Sequence, residues 1–552
     1  MTTEHTTTTT RIDNGRYRQI LRFFGGMIAH FILWDIVGGR IPLLRHWVRR
    51  SRSHRFRQWA RRFRQMAIHM GGVMIKLGQF LSARVDVLPP EITDELMGLQ
   101  DEVPPEDPQR ILAVLRQELG DVNAYFAHVE EAPVAAASLG QVHRAWLLPS
   151  DPVAELGQAV MVKVQRPFIE HIVHTDLTAL RVVARWIMRY GPIRRRANVP
   201  ALMEEFAETL WQELDYEAEA EHAERFAEMY ANSDQVYIPA VYRQHSTGRV
   251  IVLEDVTGIK ITDLEGMQAA QIDPVTVADV VLRTYFDQIF KEGFFHADPH
   301  PGNLFVRPRE DLPWQPEDGP RPFWLVFVDF GMVGRVPDMM LENLRQVLVS
   351  VTQRDARRLT EAYDNLGFFL PEADLERIIE VQSIVLNRIW GRKLLELARP
   401  DPEEMQEMWQ EFRDVLFGFP FQIPQNFIYL GRAMGMVSGL VSQLNPEINP
   451  WYYIELYGEE LLQEQVVREF TLETAVDLLR PYLSTPAQLR RLLDLVENGR
   501  LRVKTSPDRE TMRRLERLER RLTWLNWSLL SAASLISITL WRLFNRENDK
   551  KE

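Results

Sequence analysis

Cysteine is absent from the 552-residue sequence, and this absence removes whole classes of chemistry. Disulfide bridges, cysteine-ligated zinc, iron–sulfur clusters and thiol catalysis are excluded, so any metal must bind to oxygen or histidine. An excess of positive charge is also absent, because the formal net charge is -12. This balance argues against a general nucleic-acid binder, and we predict no nucleic-acid partner. We also expect no cleavable secretory signal, since no short apolar run with a small-residue cleavage site opens the chain.

Length and hydrophobic patterning predict more than one domain of mixed secondary structure. A hydrophobic content of 45% is ample for a packed core, and 552 residues exceed one ordinary domain. Strand-like runs at 159–164 and 249–253 flank a long predicted helix from about 198 to 230, and a mostly helical remainder follows. Asn198 is a suitable N-cap for this helix. One face of the helix is expected to be buried and carries Leu202, Phe206, Leu210 and Leu214. This order of elements predicts a two-lobed α+β body.

Three segments indicate contact with a membrane. Residues 40–64 carry arginines and aromatic residues without any Asp or Glu, which fits either a solvated helix face or docking on anionic lipid headgroups. The apolar run at 23–37 favours the membrane, and its His30 and Asp35 indicate an interfacial rather than a spanning helix. Residues 523–541 carry no charge and are close to the length that crosses a bilayer. We expect this last segment to span, the alternative being a buried or interfacial helix.

Two charged residues occur in positions that are typical of kinases. Lys163 stands in the strand-like run at 160–164, where a lysine among β-formers is similar to the ATP-pairing lysine of kinases. Glu219 follows on the long predicted helix, where a kinase has the glutamate that orients this lysine. Taken alone, each is more simply a solvent-facing charge, because charged side chains are rarely buried. Their order along the chain makes them candidates.

The run GFFHADPHPGN at 293–303 carries the strongest pattern. Asp298 and Asn303 have the spacing of a kinase catalytic loop, in which the aspartate addresses the acceptor and the asparagine ligates Mg²⁺. His296 and His300 with Asp298 also suit the transition-metal site of a hydrolase, but the prolines and glycine favour a rigid loop. Asp329 then opens an Asp-Phe-Gly after an apolar run, where kinases hold Mg²⁺ against the phosphates.

Several features of conventional protein kinases are missing. Alanines at 135–137 and Ser138 replace the glycine-rich loop, and the alanine Cβ atoms restrict how closely the backbone approaches phosphates. No Ala-Pro-Glu follows Gly331, and Ala297 stands where the catalytic loop usually has arginine. Loop phosphorylation and peptide docking therefore lose their usual elements, which disfavours a conventional protein kinase.

Together these motifs resemble the UbiB family of atypical kinases, also called the AarF or ADCK type. KLGQ at 76–79 is similar to its KxGQ signature, AAAS at 135–138 to its alanine-rich loop, and ELD at 213–215 to its ExD motif. The resemblance implies a two-lobed kinase-like fold with a helical KxGQ extension, a helical C-terminal region and a C-terminal membrane helix. The implied divisions are a disordered tip with a membrane-proximal segment at 1–65, the KxGQ extension at 66–130 and an N-lobe at 131–256. A C-lobe with its helical region follows at 257–500, and a linker with the membrane helix at 501–552.

The resemblance also implies roles for individual residues. The catalytic candidates are Asp298, Lys163 and Glu219, and the Mg²⁺ ligands are Asn303 and Asp329. The nucleotide-binding candidates are Ala135, Ala136, Ala137, Ser138, Lys163 and Glu254. In the family, KxGQ and ExD cover the groove where a kinase admits a protein substrate. The implied regulatory lid comprises Lys76, Gln79, Glu213 and Asp215, with Lys76 paired to Glu213.

We therefore predict an enzyme that binds ATP or ADP with Mg²⁺. Its reaction is ATP hydrolysis or phosphoryl transfer in isoprenoid-quinone (ubiquinone-like) biosynthesis or related membrane lipid metabolism. The alternatives are a nucleotide-gated membrane scaffold without phosphoryl transfer, which organises biosynthetic enzymes or extracts lipid intermediates, and an atypical protein kinase. The expected partners are nucleotide, membrane lipid and quinone-pathway enzymes or intermediates. We expect a membrane-associated protein whose kinase-like domain is cytoplasmic.

Overall fold

The computed structural model describes residues 12–38, 41–82, 88–97, 99, 103–149, 156–190, 194, 198–371, 373–398, 401–412 and 426–469. The predicted C-terminal division 501–552, with its membrane helix at 523–541, lies outside the described residues. The chain divides into two compact units. The first comprises Met1–Glu342, Gly391–Pro400 and Pro424–Tyr453, and the second comprises Asn343–Trp390, Asp401–Ile423 and Ile454–Glu552.

The first unit begins with helices α1 (Asn14–Phe31), α2 (Pro42–Met70), α3 (Val73–Ser82) and α4 (Pro90–Met97). A π-helical turn, Ile32–Gly38, extends α1. Gly71 and Gly72 separate α2 from α3, because their φ angles of 63° and 53° suit glycine and interrupt the helix. Within the described ranges, Asn14–Gly38 is the one helix long and apolar enough to cross a membrane, judged by length and composition.

Helix α5 (Pro108–Leu119) packs on an antiparallel sheet. Its strands are β1 (Phe126–Val129), β2 (Ala135–Ala136), β3 (Gly140–Leu147), β4 (Ala159–Gln165) and β6 (Val250–Glu254). The order is β1-β3-β4-β6, with β2 paired to β3. On β4, Val160, Val162 and Val164 are buried against α5, whereas Lys163 points to the other face. The strands predicted at 159–164 and 249–253 are thus confirmed, each to within one residue.

The helix predicted from 198 to 230 is wrong as one element, because it consists of α7 (Val199–Glu213) and α8 (Tyr216–Met229), which follow α6 (Ile169–Ile187). Asp215 accepts a hydrogen bond from the Ala218 N–H, so it begins a new helix where one continuous helix was expected. The N-cap at Asn198 is confirmed, since its side chain accepts from the Ala201 N–H. Of the expected buried face, Phe206, Leu210 and Leu214 are buried, and Leu202 is partly exposed.

A second sheet follows in the order β5-β10-β9-β7, and β8 pairs separately with β11. These strands are β5 (Val236–Tyr237), β7 (Ile259–Lys260), β8 (Phe294–His296), β9 (Leu304–Pro308), β10 (Phe323–Phe327) and β11 (Val333–Arg335). Because β8 and β11 pair and β9 and β10 pair, the loop after β8 and the segment after β10 are brought together.

The remaining described helices complete a mixed helical and sheet structure. They are α9 (Leu264–Ala269), α10 (Pro274–Phe286), α11 (Asp338–Thr352), α12 (Ala356–Asn365), α13 (Leu375–Ile389), α14 (Leu394–Ala398), α15 (Pro402–Glu411), α16 (Asn426–Leu444) and α17 (Pro450–Glu469). In the first unit, the Tyr453 hydroxyl donates to Asp279 of α10 at 2.8 Å. In the second unit, the Thr360 hydroxyl of α12 donates to Gln382 of α13 at 2.7 Å.

Candidate functional site

Lys163, Glu219 and Asp329 meet in one cluster of the first unit. Lys163 is a middle residue of β4, paired in register with Val142 on one side and Ile251 on the other. Its Nζ lies 2.7 Å and 2.9 Å from the two carboxylate oxygens of Glu219, in the first turn of α8. It also lies 3.3 Å from Oδ1 of Asp329. The sheet and α8 thus hold the lysine between two carboxylates.

Burial and mutual attraction set the charges of this cluster. Burial alone lowers the pKa of Lys163, but the carboxylates of Asp329 and Glu219 outweigh it and raise the pKa well above its ordinary value. Burial raises the pKa of Glu219 to about 7, although Lys163 opposes this rise. Partial burial acts to raise the pKa of Asp329, but Lys163 and the Gly331 N–H lower it below its ordinary value. Lys163 and Asp329 are therefore the firmly charged members at neutral pH.

Asp329 is held in an uncommon backbone conformation after β10. Its φ angle is 64°, a region that residues other than glycine rarely occupy and that clusters at functional sites. His296 Nε2 donates to the Asp329 carbonyl oxygen at 2.7 Å. The next residue, Phe330, is buried, with its ring centroid 5.3 Å from that of Phe226 on α8. The Asp329 side chain remains 46% exposed while it contacts Lys163, so its carboxylate can reach a ligand.

Asp298 and Asn303 lie in the loop between β8 and β9. The Asn303 side-chain nitrogen donates to the Asp298 main-chain oxygen at 3.1 Å and to Oδ2 at 3.4 Å. The Asn303 main-chain oxygen accepts from the Val328 N–H at 3.0 Å, which joins this loop to the residue before Asp329. Because the amide nitrogen is engaged in these contacts, the amide oxygen of Asn303 is the atom that can serve as a metal ligand.

Arg432 is a functional candidate that the sequence reasoning missed. It lies on α16 and its Nη2 is 3.1 Å from Oδ1 of Asp298, with the two side chains 37% and 26% exposed. Ala297 occupies the position where a kinase catalytic loop usually has an arginine. In this protein Arg432, which lies 134 residues after Asp298 in the sequence, contacts Asp298 instead. The one signal available in the sequence was the missing arginine itself, which gives no indication of where a substitute comes from.

The oxygen ligands of this site suit Mg²⁺. The carboxylate of Asp329 and the amide oxygen of Asn303 are hard donors, and Mg²⁺ typically takes one or two protein oxygens with phosphates and waters completing its shell. Among the described residues, no group of three or more His, Asp or Glu side chains is placed to hold a metal alone. His296 Nε2 donates to Asp329, and His300 Nδ1 accepts from the Gly302 N–H. Asp329 and Asn303 are therefore the residues of this site whose oxygens could hold Mg²⁺ together with a nucleotide.

The alanine-rich segment forms a hairpin with β3. Strand β2, Ala135–Ala136, pairs with β3, and the Ala137 N–H donates to the Gly140 carbonyl at 2.9 Å. Arg166 donates to the Ala137 carbonyl at 3.2 Å and to the Pro104 carbonyl at 2.7 Å. The next residue, Ser138, is buried. This hairpin is thus fixed at its turn by Arg166, which also holds the segment that precedes α5.

The four expected lid residues are only partly brought together. Lys76 on α3 forms an ion pair with Glu213 at the end of α7. The Gln79 side chain instead donates to the Leu99 carbonyl at 3.2 Å, and Asp215 caps α8. Burial raises the pKa of Glu213, Lys76 lowers it, and the charges of Asp329 and Asp298 raise it further. The Lys76–Glu213 pair therefore lies within electrostatic reach of the catalytic candidates.

Comparison with known proteins identifies the family. The ABC1 atypical kinase-like domain matches residues 98–363. An uncharacterized protein of Synechocystis sp. is 29% identical over 93% of this chain and 86% of its own length. Protein ACTIVITY OF BC1 COMPLEX KINASE 8, chloroplastic, of Arabidopsis thaliana is 31% identical over 76% of this chain and 56% of its own. The probable protein kinase UbiB of Azotobacter vinelandii is 32% identical over 64% of this chain and 62% of its own. This chain belongs to the ABC1/UbiB family of atypical kinases.

The ABC1 match leaves out part of the site. It includes the alanine-rich hairpin and the cluster around Lys163, but Lys76, Gln79 and Arg432 lie outside residues 98–363. The expected nucleotide residue Glu254, at the end of β6, accepts a 2.8 Å hydrogen bond from the Tyr237 hydroxyl and another from the Ala240 N–H. In this chain the ABC1/UbiB site is thus assembled from the matched domain and from helices on both sides of it.

Proposed function

We propose that this ABC1/UbiB protein is a Mg²⁺-dependent ATPase or phosphotransferase that supports isoprenoid-quinone biosynthesis or related membrane lipid metabolism. The observation that carries the proposal is the contact of Lys163 with both Glu219 and Asp329. Such a lysine is held by one carboxylate and faces a second that suits a metal, which is the arrangement that phosphoryl transfer requires in kinases. The proposed architecture places this site between two lobes, one built on each sheet.

The proposed roles combine the resemblance to kinases with the contacts of Lys163, Glu219 and Asp329. Lys163 would bind the α- and β-phosphates while Glu219 orients it, and the hairpin at Ala135–Ser138 and Glu254 would contact the nucleotide. Asn303 and Asp329 would hold Mg²⁺, which supplies charge neutralisation at the phosphates when bound. Asp298 would accept the proton of water or an alcohol as that oxygen bonds to the γ-phosphorus. The bond from the γ-phosphorus to the β-phosphate oxygen would break, leaving ADP.

Membrane lipid and quinone-pathway enzymes or intermediates are the proposed partners. The names of the relatives support a kinase of the UbiB type, and the apolar helix Asn14–Gly38 supports membrane association. We propose in addition that the kinase-like part lies in the cytoplasm. A nucleotide-gated scaffold is the second candidate. It is favoured by the Lys76–Glu213 pair, which ties the helical extension to the ABC1 domain beside the catalytic residues.

Turnover of ATP by the full chain in the presence of lipid vesicles separates the two candidates. We expect Mg²⁺-dependent ADP release by the wild type and its loss in Asp298→Asn, because an amide cannot accept the proton of the attacking oxygen. Asp311→Asn is the matched control, since Asp311 is an exposed aspartate that pairs with Arg309. Nucleotide binding without turnover in the wild type would favour the scaffold. Equal turnover in Asp298→Asn and the wild type would exclude this site as the source of activity.

A further inference from the structure

The hairpin between the end of α1 and the start of α2 exposes large apolar side chains. We call five of them the apolar tip: Ile32, Leu33, Val37, Ile41 and Trp47, which are 45%, 60%, 48%, 41% and 55% exposed. The Trp47 ring lies beside that of Trp34, with centroids 5.2 Å apart. Single exposed apolar residues are ordinary, but a group of them in one hairpin marks an interaction surface.

The acidic residue of this hairpin is neutralised within the protein. Both carboxylate oxygens of Asp35 lie 3.0 Å from Nη2 of Arg55, and both side chains are largely buried. This contact holds the end of α1 against α2, and within α2 Arg55 also donates to the Val48 carbonyl at 3.0 Å. The tip therefore presents apolar groups without an unpaired negative charge from Asp35, so it can approach an anionic surface.

Helix α2 supplies the complementary charge next to the tip. No Asp or Glu occurs between Pro42 and Met70, and the side chains of Arg50, Arg57 and Arg62 are exposed. Apolar residues beside exposed arginines are the pattern of helices that lie in a membrane interface, where the arginines contact lipid phosphates. This combination favours an anionic lipid surface over an apolar protein partner.

The packing of α1 argues against a spanning orientation in this fold. Ile20 and Phe24 are buried in a core that also contains Phe63 of α2. In the first turn, Arg16 contacts Asp176 of α6 through two 2.6 Å hydrogen bonds, and the Asp176 side chain is fully buried. Moving α1 into a bilayer would expose this core and leave a buried carboxylate without its partner, which is strongly unfavourable. The helix is long and apolar enough to cross a membrane, but in its first half Ile20 and Phe24 pack into the protein core.

We infer that the apolar tip and the exposed arginines of α2 form a monotopic docking surface for an anionic lipid bilayer. The tip enters the boundary between headgroups and acyl chains, and Arg50, Arg57 and Arg62 contact the phosphates. This inference deepens the membrane association included in the proposed function and rests on it. It also assigns that association to a defined surface of the described structure, independent of the segment at 523–541.

The absence of cysteine allows a direct test on the full chain. Leu33→Cys carries an environment-sensitive fluorophore, and Leu312→Cys, another exposed leucine at 40% exposure, is the matched control. Each labelled protein is mixed with vesicles of phosphatidylcholine alone or of phosphatidylcholine with phosphatidylglycerol, with or without brominated acyl chains. We expect a blue shift and bromine quenching at position 33 with the anionic vesicles, and neither effect at position 312.

Flotation of the same samples separates the two possible failures. Failure of the wild-type protein to float with either type of vesicle would contradict the proposed membrane association itself. Protein that floats while the probe at position 33 is unquenched would overturn the docking surface alone, and a tip that binds a protein partner would give this result. Equal quenching with neutral and anionic vesicles would overturn the role of the arginines.

The arginine contribution is measured by titrating vesicles against the probe at position 33. We expect each of Arg50→Gln, Arg57→Gln and Arg62→Gln to raise the lipid concentration for half-maximal quenching about fivefold, and the triple variant that combines them to raise it by more than any single one. High salt should weaken binding further. The control of equal charge change is a triple substitution of exposed arginines elsewhere, Arg181→Gln, Arg243→Gln and Arg357→Gln. An equal effect of both triple variants would show nonspecific attraction and contradict the docking surface.

Discussion

Two lysine–glutamate pairs lie on either side of the break between α7 and α8, and they differ in what surrounds them. Lys163 contacts Glu219 and also Asp329, so one ammonium faces two carboxylates. Lys76 contacts Glu213, so here one ammonium faces one carboxylate. Burial raises the pKa of both glutamates. The Glu219 side chain is the more deeply buried of the two, at 1% exposed against 16% for Glu213. The first pair is part of an incomplete charge cluster, whereas the second is balanced by itself.

This difference indicates different roles for the two pairs. A cluster of one ammonium and two carboxyl groups, one of them half-exposed, favours a cation or the approach of a cation-bound nucleotide. A balanced pair between α3 and α7 instead links the helical extension to the ABC1 domain, and its proposed role is to control access to the site. Asp329→Asn and Lys76→Ala test this division, and Arg432→Gln tests the neighbouring contact with Asp298. The three substitutions are expected to have effects of decreasing size.

Asp329→Asn is expected to have the largest effect. Mg-ADP should stabilise the wild type by about 2.7 kcal/mol at one hundred times its Kd, and this stabilisation should vanish when the half-exposed carboxylate loses its charge. Thermal melts with and without Mg-ADP measure the change, and Asp311→Asn should behave as the wild type. A nucleotide shift that persists in Asp329→Asn would show that this residue does not hold the metal.

Lys76→Ala is expected to have an intermediate effect. It leaves Glu213 without its cation, which costs about 1–3 kcal/mol of folding free energy in a partly buried setting. The raised pKa of Glu213 means that its contribution to stability falls as pH rises through that pKa. The loss in Lys76→Ala should therefore be larger at alkaline than at mildly acidic pH. Denaturant unfolding at both pH values measures it, and Lys76→Arg, which keeps the charge, is the control.

The same variant tests the proposed role of the pair in access. We expect the wild type not to phosphorylate generic peptides, and Lys76→Ala to acquire autophosphorylation measured with radiolabelled ATP. The double variant Lys76→Ala, Asp329→Asn should incorporate no label, because opening a lid cannot supply a metal ligand. Strong peptide kinase activity in the wild type would contradict the lid, and label in the double variant would place the transfer at another site.

Arg432→Gln is expected to have the smallest effect. Its contact with Asp298 is a partly exposed ion pair, worth about 1 kcal/mol, so kcat for ATP turnover should fall about fivefold. The KM for ATP should stay constant, because Arg432 positions the aspartate rather than the phosphates. Arg432→Lys should restore part of the rate, and Arg335→Gln, at an exposed arginine of β11, is the control. A raised KM with unchanged kcat would instead place Arg432 in nucleotide binding.

The residues that meet at the candidate site could be picked out from the sequence because they lie in ordered local motifs, and their catalytic role stays a prediction. Lys163 is recognisable inside a run of β-formers, and Asp298 and Asn303 have a fixed spacing in one loop. Each motif is a few residues long, so its geometry depends mainly on neighbouring residues. The family and the mixed α and β content followed from the same local patterns.

Other features depended on contacts between distant parts of the chain. Arg432 reaches Asp298 only because α16 packs in the same unit, and no periodicity or spacing encodes a partner 134 residues away. The capping by Asp215 divided a helix that its hydrophobic repeat predicted as continuous. The apolar run at 23–37 is compatible by composition with several orientations, whereas the packing of Phe24, and of Ile20 just before the run, into the protein core depends on the tertiary structure. The sequence by itself therefore determined the chemistry of the motifs, whereas tertiary packing decided which side chains meet, because such contacts depend on helices brought together from distant parts of the chain.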